Sequence, residues 1–284
     1  MNFVTYFDQA YLLKAVVMLR SLRRHHPDAR VDAVCCDDAS FRALRKLRLP
    51  GVCATELGVV EMLDGAFYGG HLQQARQNRS WVEYLWTLTP SVLLYGLSHG
   101  ADPVAYVDAD LYFTHNLAPL YAEVAEADSA LIHHHWTPRH AERLRPNGLY
   151  NVSWVYATKR AKPFLEAWRS LCIDRCSAVG GPQGIGDQGY LDQLQPRFGC
   201  HVVTHEGANL APWNQEQYAY SRHGQELWLE NRWPVLWYHF HELRHDAQGR
   251  VTYRTGYPLA PAVAEHVYAP YEAELQSVAK ECMT

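Results

Sequence analysis

Pro103-Val104-Ala105-Tyr106-Val107-Asp108-Ala109-Asp110-Leu111-Tyr112-Phe113 is the stretch from which the rest of the chain can be read. Val104 to Val107 is a short apolar run of β-branched and aromatic residues, which predicts a buried strand. The run ends in two carboxylates one residue apart. Two acids at the carboxyl edge of an apolar strand are costly unless something compensates their charge. A divalent cation is the simplest compensation, and hard oxygen ligands suit magnesium, manganese or calcium. Residues two apart on a strand point the same way, so Asp108 and Asp110 converge on one ion if the strand persists. If it stops at Asp108, a turn brings them together. The competing reading is a pair of solvated loop acids, with Asp110 capping a turn.

Toward the N-terminus, strands and helices alternate. Residues 2–6, 31–36 and 52–57 read as strands, and residues 12–22 and 40–47 as helices. Leu12, Val16, Leu19 and Leu22 lie near one face of the first helix. This alternation predicts an α/β fold with a mostly parallel sheet flanked by helices. No GxGxxG follows the first strand and no GxxxxGK[ST] is present, so a nucleotide would have to be held without a glycine-rich phosphate cradle. In open α/β sheets ligands lie beyond the carboxyl ends of strands. Tyr6-Phe7-Asp8, Asp37-Asp38 and Asp108-Ala109-Asp110 all fall at such ends. Asp37-Asp38 also reads as a helix-capping pair. Residues 65–80 look irregular, and 81–97 helical with a break at Pro90. Arg76 and Arg79 precede that helix within reach of phosphates, and Glu83 stands among Trp81, Tyr84 and Trp86.

Toward the C-terminus, residues 119–127 read as a short helix and 130–135 as a strand ending in three histidines and Trp136. Second-sphere or acceptor-contacting roles suit those histidines. Residues 151–157 alternate as a strand that Asn151 enters, and 163–176 form a clear helix. A glycine-rich loop at 180–186 delivers Asp187-Gln188 to a further helix at 188–194, where Asp187 is either an N-cap or a functional acid. Residues 202–204 read as a short strand, and 235–241 as a last strand with His239 and His241 on one face. The remainder is turn-rich, with a terminal helix near 271–280.

At 284 residues the chain can bury a substantial core. A net charge of −4 leaves no basic footprint for nucleic acid. The N-terminus lacks the charged and apolar regions of a signal peptide, and no apolar run approaches the ~20 residues that span a bilayer. The 7 cysteines are odd in number and lack CxxC spacing, so buried reduced thiols are expected. A cytoplasmic location follows, compatible with peripheral membrane contact.

Taken together the pieces resemble the GT-A glycosyltransferases, most closely the family-eight type that includes glycogenin and the lipopolysaccharide galactosyltransferases. The matching segments run in the family's order: residues 3–12 as first strand and nucleotide loop, 106–111 as the DxD motif, 150–155 as the segment lining the donor sugar, 186–188 as the Asp-Gln motif, and 237–241 as the segment with a histidine ligand. Gly-Asp-Gln-x-Tyr-Leu-Asp at 186–192 and Gly-Ala-Asn-Leu-Ala-Pro-Trp-Asn at 207–214 are similar to signatures of uncharacterised bacterial transferases from polysaccharide clusters. The sequence departs from the family where Glu242 replaces a glycine, where Arg244 or His245 stands in for a phosphate-binding lysine, and where Ser153 replaces a glycine.

The resemblance implies one GT-A (Rossmann-like) domain with a small second sheet. A nucleotide-binding half spans about 1–130, an acceptor-binding half 131–245, and a C-terminal extension 246–284. It implies transfer of a sugar from a nucleotide-diphosphate donor, with UDP favoured, to a hydroxyl of a glycan, lipid-linked glycan or small molecule, with retention. Mn2+ or Mg2+ would be held by Asp108, Asp110 and His239, with His241 as alternative. Thr5, Tyr6, Asp8, Arg79 and Asp108 would contact the nucleotide. Asn151, Asp187 and Glu83 would contact the donor sugar, with Asp187 and Gln188 near the reacting carbon. Two other readings use the same residues: a noncatalytic nucleotide-sugar binder, and a DxD phosphohydrolase. The second needs a nucleophilic aspartate on the first strand, whereas here the DxD follows several elements.

Overall fold

The computed structural model describes residues 1–181 and 183–283. Pro182, in the glycine-rich loop expected at 180–186, lies outside the described residues. The N-terminal half follows the expected alternation: β1 (Asn2–Phe7), α1 (Leu12–His25), β2 (Arg30–Cys35), α2 (Asp38–Leu47) and β3 (Val52–Glu56). Leu12, Ala15, Val16, Leu19 and Leu22 give α1 a buried face, and Arg23, Arg24 and His25 in its last turn face the negative end of the helix dipole. Asp37 caps α2, its Oδ1 accepting from the Ser40 amide at 2.7 Å.

Next come α3 (Leu57–Tyr68), α4 (His71–Asn78), α5 (Trp81–Thr87) and α6 (Thr89–Ser98). The expectation of an irregular stretch at 65–80 is therefore corrected. Gly69 and Gly70, at φ +81° and +75°, break one helix from the next rather than dissolving both. β4 (Val104–Val107) leads to β5 (Leu111–Phe113), α7 (Ala118–Glu123) and β6 (Ser129–His133). A single helical turn, α8 (Leu144–Asn147), precedes β7 (Tyr150–Ala157), α9 (Lys162–Asp174), α10 (Leu191–Phe198) and β8 (His201–Val202). The chain ends in β9 (Tyr220–His223), β10 (Glu226–Leu229), β11 (Trp233–Pro234), β12 (Trp237–His239), β13 (Arg244–His245), β14 (Val251–Tyr253), α11 (Pro261–Val263) and α12 (Ala269–Met283).

One seven-stranded sheet orders its strands β3-β2-β1-β4-β7-β6-β8. Within it, β7 runs antiparallel to both its neighbours, and the other pairs are parallel. Chain order reverses between β1 and β4, which opens a crevice at their carboxyl ends. Small sheets pair β9-β10-β11, β5-β12 and β13-β14. Apolar clusters fill both faces of the large sheet. One includes α1 and α12; the other includes α3, α6 and α9. The C-terminal stretch belongs to the core, with Tyr271 stacked on Phe240 at 3.7 Å and Glu274 paired with Arg24. No helix among the described residues is long and apolar enough to cross a membrane.

The end of α1 carries a pH-sensitive contact. His26 is 9% exposed and its Nε2 accepts from the Leu117 amide at 2.9 Å, so the ring must be neutral there. Burial pushes its pKa down to about 4. Between about 6.5 and 4 the unfolded chain binds the extra proton, so stability falls as pH drops through that window. Moving from pH 7 to pH 5 is expected to cost about 1 to 2 kcal/mol through this group. Urea midpoints of wild type and His26→Gln at the two pH values check this: the variant should lose less on acidification.

Candidate active site

β4 delivers Asp108 just past its carboxyl end, and a turn leads the chain into β5. β12 pairs antiparallel with β5 in a register that sets His239 opposite Leu111. The Phe240 amide then donates to the Asp110 carbonyl at 2.9 Å. This register brings a histidine from near the end of the chain beside the DxD. His239 Nε2 lies 3.4 Å from Asp110 Oδ1 and 3.8 Å from Asp108 Oδ2. One donor atom from each of the three residues falls within 4.8 Å of the others.

The electrostatics match a site short of positive charge. Burial, with Asp110 adding to it, pushes the Asp108 carboxyl up to about 7 despite the opposing His239. Asp110 is held below the ordinary carboxylate range: burial opposes this, but His239 and Lys14 prevail. His239 is raised, since the two aspartates outweigh its burial. Two hard carboxylates and one imidazole fit a divalent cation of the magnesium or manganese class. His241 turns its Nε2 toward Glu242 at 3.7 Å and is half exposed, so His239 has the better geometry. We expect His239→Ala to abolish a manganese-induced rise in melting temperature and His241→Ala to keep most of it. Differential scanning fluorimetry reads both.

These three residues line a cleft of about 430 Å³ at the ends of β1 and β4. Asp187 and Gln188 line the same cleft. Asp187 is almost fully buried; its Oδ2 accepts from Thr89 Oγ1 at 2.6 Å and its Oδ1 from the Gln188 amide at 2.9 Å. Burial pushes this carboxyl up to about 6. The N-cap reading and the cleft placement thus hold together. Tyr6 hydroxyl lies 3.0 Å from Thr89 Oγ1, and Tyr106 donates to Asp108 Oδ1 at 2.6 Å, with the two tyrosine rings 5.5 Å apart. A tyrosine pair therefore fills the space between the two acidic poles.

Aromatic rings floor the outer cleft. Trp136 stacks on His134 at 4.6 Å and meets Trp213 at 5.6 Å, and Trp213 stands edge-on to His239 at 5.3 Å. The 207–214 loop holds these rings in place: Trp213 Nε1 and Asn214 Nδ2 both donate to the His134 carbonyl, at 2.7 and 3.0 Å. Burial pushes the His134 pKa down to about 3, so the ring is neutral.

Several expected residues fall elsewhere or are already engaged. Asp8 lines the cleft, with Oδ2 accepting from Trp81 Nε1 at 2.9 Å. Asn151 lines it too, but its amide is used at both ends, toward the Ser153 amide at 3.0 Å and His134 at 3.2 Å. Thr5 is fully buried within β1 and outside the cleft lining, one residue short of the strand end from which Tyr6, Phe7 and Asp8 reach it. Arg79 as a phosphate ligand is corrected: its guanidinium donates to the Cys172 and Ile173 carbonyls at 2.8 and 2.7 Å, capping the end of α9. Glu83 as a sugar ligand is corrected as well, because it closes a capping box with Ser80 and accepts from the Ala178 amide. Those bonds, the Ala178 amide first, hold its carboxyl down at about 2. Arg244 lies over Tyr253 and, like His245, outside the cleft lining. Arg143 is the guanidinium that lines it. Glu242 adopts φ +62°, the backbone region that favours the glycine the family pattern has there.

Sequence reasoning missed Arg143, Trp213 and Tyr257 as cleft residues, and Thr89 as the hydroxyl that holds Asp187. Thr89 had one usable signal, a hydroxyl just before the Pro90 break. Tyr257 had none, since nothing local to the C-terminal stretch points it at a strand end.

No protein-family profile matches the chain. Two Bacillus subtilis (strain 168) proteins match by sequence. YfnD is 30% identical over 246 residues, covering 84% of this chain and 76% of YfnD. YfnF is 26% identical over 250 residues, covering 84% and 80%. Among solved structures, the galactosyltransferase LgtC, crystallised with donor and acceptor sugar analogues, superposes with a TM-score of 0.58 at 18% identity, covering 100% of this chain and 97% of LgtC. The glycosyltransferase GlyE of Streptococcus pneumoniae TIGR4 gives 0.56 at 14% identity, covering 99% of this chain and 62% of GlyE. With the switch-point cleft and the antiparallel β7 in place, the chain belongs to the family of YfnD and has the fold of the family-eight-like GT-A glycosyltransferases.

Proposed function

We propose that this protein is a metal-dependent glycosyltransferase that moves a sugar from a nucleotide-diphosphate donor to a hydroxyl acceptor. The observation that carries the reading is one cleft lined both by the Asp108-Asp110-His239 triad and by buried Asp187 with Gln188. LgtC, whose fold this chain shares, holds donor and acceptor sugar analogues. UDP is the nucleotide that the family resemblance favours, and retention the stereochemistry it implies.

A bound Mn2+ or Mg2+ would supply Lewis-acid neutralisation of the charge that grows on the departing diphosphate. The chain's own residues do the rest by position. Tyr6 and Asp8 frame the nucleoside end of the cleft. Asp187, fixed by Thr89 and the Gln188 amide, offers its remaining lone pairs to donor-sugar hydroxyls. The Gln188 side chain, which lines the cleft beside Asp187, would face the reacting carbon. Trp136 and Trp213 offer the acceptor sugar an aromatic, apolar surface. A glycan, a lipid-linked glycan or a small molecule with a free hydroxyl fits that role. The seven free cysteines accord with a cytoplasmic setting.

Isothermal titration with UDP and MnCl2, followed by a UDP-release assay across UDP-sugars, tests the reading. Manganese-dependent UDP binding together with UDP release is the expected result. Binding with no release from any donor would leave a nucleotide-sugar binder instead. Release of inorganic phosphate from simple phosphoesters would replace the proposal with a phosphohydrolase.

A further inference from the structure

Away from the cleft, a second cavity of about 350 Å³ opens between α3, α6 and α9, within the range of small-molecule sites. One wall is an apolar stripe on α3, Val60, Leu63 and Phe67, whose spacing puts them on one helical face. It faces Leu94, Tyr95 and Leu97 of α6. The stripe runs outward: Val60 is buried, Leu63 half-buried, and Phe67 70% exposed at the rim.

The polar groups divide into those already committed and those available. Asp64 and Arg169 form a buried ion pair, and Asp64 also accepts from the Leu72 amide at 3.0 Å. Arg169 lies over the Tyr68 ring at 4.6 Å. Their charges satisfy one another. Lys159 and Lys162 line the cavity differently. Lys159 Nζ is 4.0 Å from Asp102, Lys162 Nζ is 3.6 Å from Glu166, and all four side chains are more than a third exposed. Exposed pairs of this kind hold little energy, so both ammonium groups can turn to another anion. Ser91 Oγ, on the cavity wall, is buried without a hydrogen-bond partner.

We propose that this cavity binds a single alkyl chain carrying an anionic head group, with the chain along the α3 stripe and the head on Lys159 and Lys162. The site is separate from the cleft. Among the described residues it shares no lining residue with the cleft, and α6 and α9, which line it, reach the cleft only through Thr89 and Trp168, whose bonds of 2.6 and 2.9 Å hold Asp187. A free amphiphile and a membrane lipid share this chemistry.

Fluorescence or calorimetric titration of the full chain with monomeric alkyl phosphates tests the site. Dodecyl phosphate is expected to bind saturably at one site per chain. Affinity should rise about fourfold per methylene from octyl to dodecyl phosphate. Dodecyl maltoside, with the same chain and no charge, should bind at least tenfold more weakly. Leu63→Trp fills the slot and should abolish binding. Lys159→Glu with Lys162→Glu, at exposed positions that leave the core intact, should weaken dodecyl phosphate at least tenfold and leave dodecyl maltoside unchanged. Flotation with phosphatidylcholine vesicles, with and without phosphatidylglycerol, assigns the source. Vesicle capture that needs phosphatidylglycerol and the two lysines points to a lipid leaflet; binding of the monomer alone points to a free amphiphile. No saturable binding of dodecyl phosphate, or affinity unchanged by the charge reversal, overturns the proposal.

Discussion

Asp110→Ala is expected to lower UDP-sugar turnover by about a thousandfold and to remove the response to manganese, while the protein stays folded. Asp110 is the acid best placed for a cation: it faces His239 Nε2 at 3.4 Å and is held ionised by that ring and by Lys14. Removing it leaves two donors, too few to fix a cation against water. Metal neutralisation of a departing diphosphate supplies several kcal/mol of transition-state stabilisation, and about 4 kcal/mol corresponds to a factor of a thousand. The fold should survive, because among the described residues the Asp110 carboxylate pairs with His239 alone and its backbone carbonyl keeps the bond to Phe240. In wild type, manganese at a hundredfold over its dissociation constant should stabilise by about 2.7 kcal/mol, which is a clear thermal shift. Full turnover by the variant in the presence of a chelator would end the metal proposal.

Asp187→Asn should have two opposite effects. Turnover is expected to fall by at least about a hundredfold, because a preorganised charge at the sugar is lost. Stability at neutral pH is expected to rise. The native carboxyl titrates at about 6 against 3.8 when unperturbed, because burial disfavours its charge. Between those values the native state holds the extra proton, so this group's contribution to stability falls as pH rises from about 4 to 6 and stays lower above. The shift corresponds to at most about 3 kcal/mol. Asparagine removes it while its oxygen still accepts from the Gln188 amide. Urea denaturation should therefore show the variant more stable at pH 7.5 and nearly equal to wild type at pH 4. An equal gap at both pH values would show that burial of the charge is not the cause. Unchanged turnover would remove Asp187 from the sugar.

The two variants separate the poles of the cleft. On the proposed reading Asp110 serves the leaving diphosphate, and its loss should show in metal dependence. On the same reading Asp187 serves the sugar, so its variant should still bind UDP with manganese. A stability gain coupled to lost activity is the expected mark of a site held at a folding cost.

How far the sequence could be read depended on whether a residue's role was local. The DxD was legible because an apolar run ending in two acids is unusual within a few residues of chain. The sheet was legible because strand and helix periodicities differ. The failures are equally local in origin. Arg79 and Glu83 carry charges in the right neighbourhood, yet the carbonyl end of α9 and the amide of Ser80 claim them first. Their partners are one helix start next door and one helix end about ninety residues away. Thr5 was assigned by its segment, and it lies one residue short of the strand end that reaches the cleft.

By itself the sequence determined the alternation of strands and helices in the first sixty residues, the acid pair just beyond β4, and the absence of a glycine-rich phosphate cradle, because the first two follow from periodicity and from the cost of burying charge and the third from the missing motifs. The tertiary structure alone decided that His239 rather than His241 meets the two aspartates, that Thr89 and Tyr6 support Asp187, and that Tyr257 reaches the cleft. Those facts depend on the β5-β12 register and on chain reversal between β1 and β4, and a pairing between segments more than a hundred residues apart leaves no local mark in either.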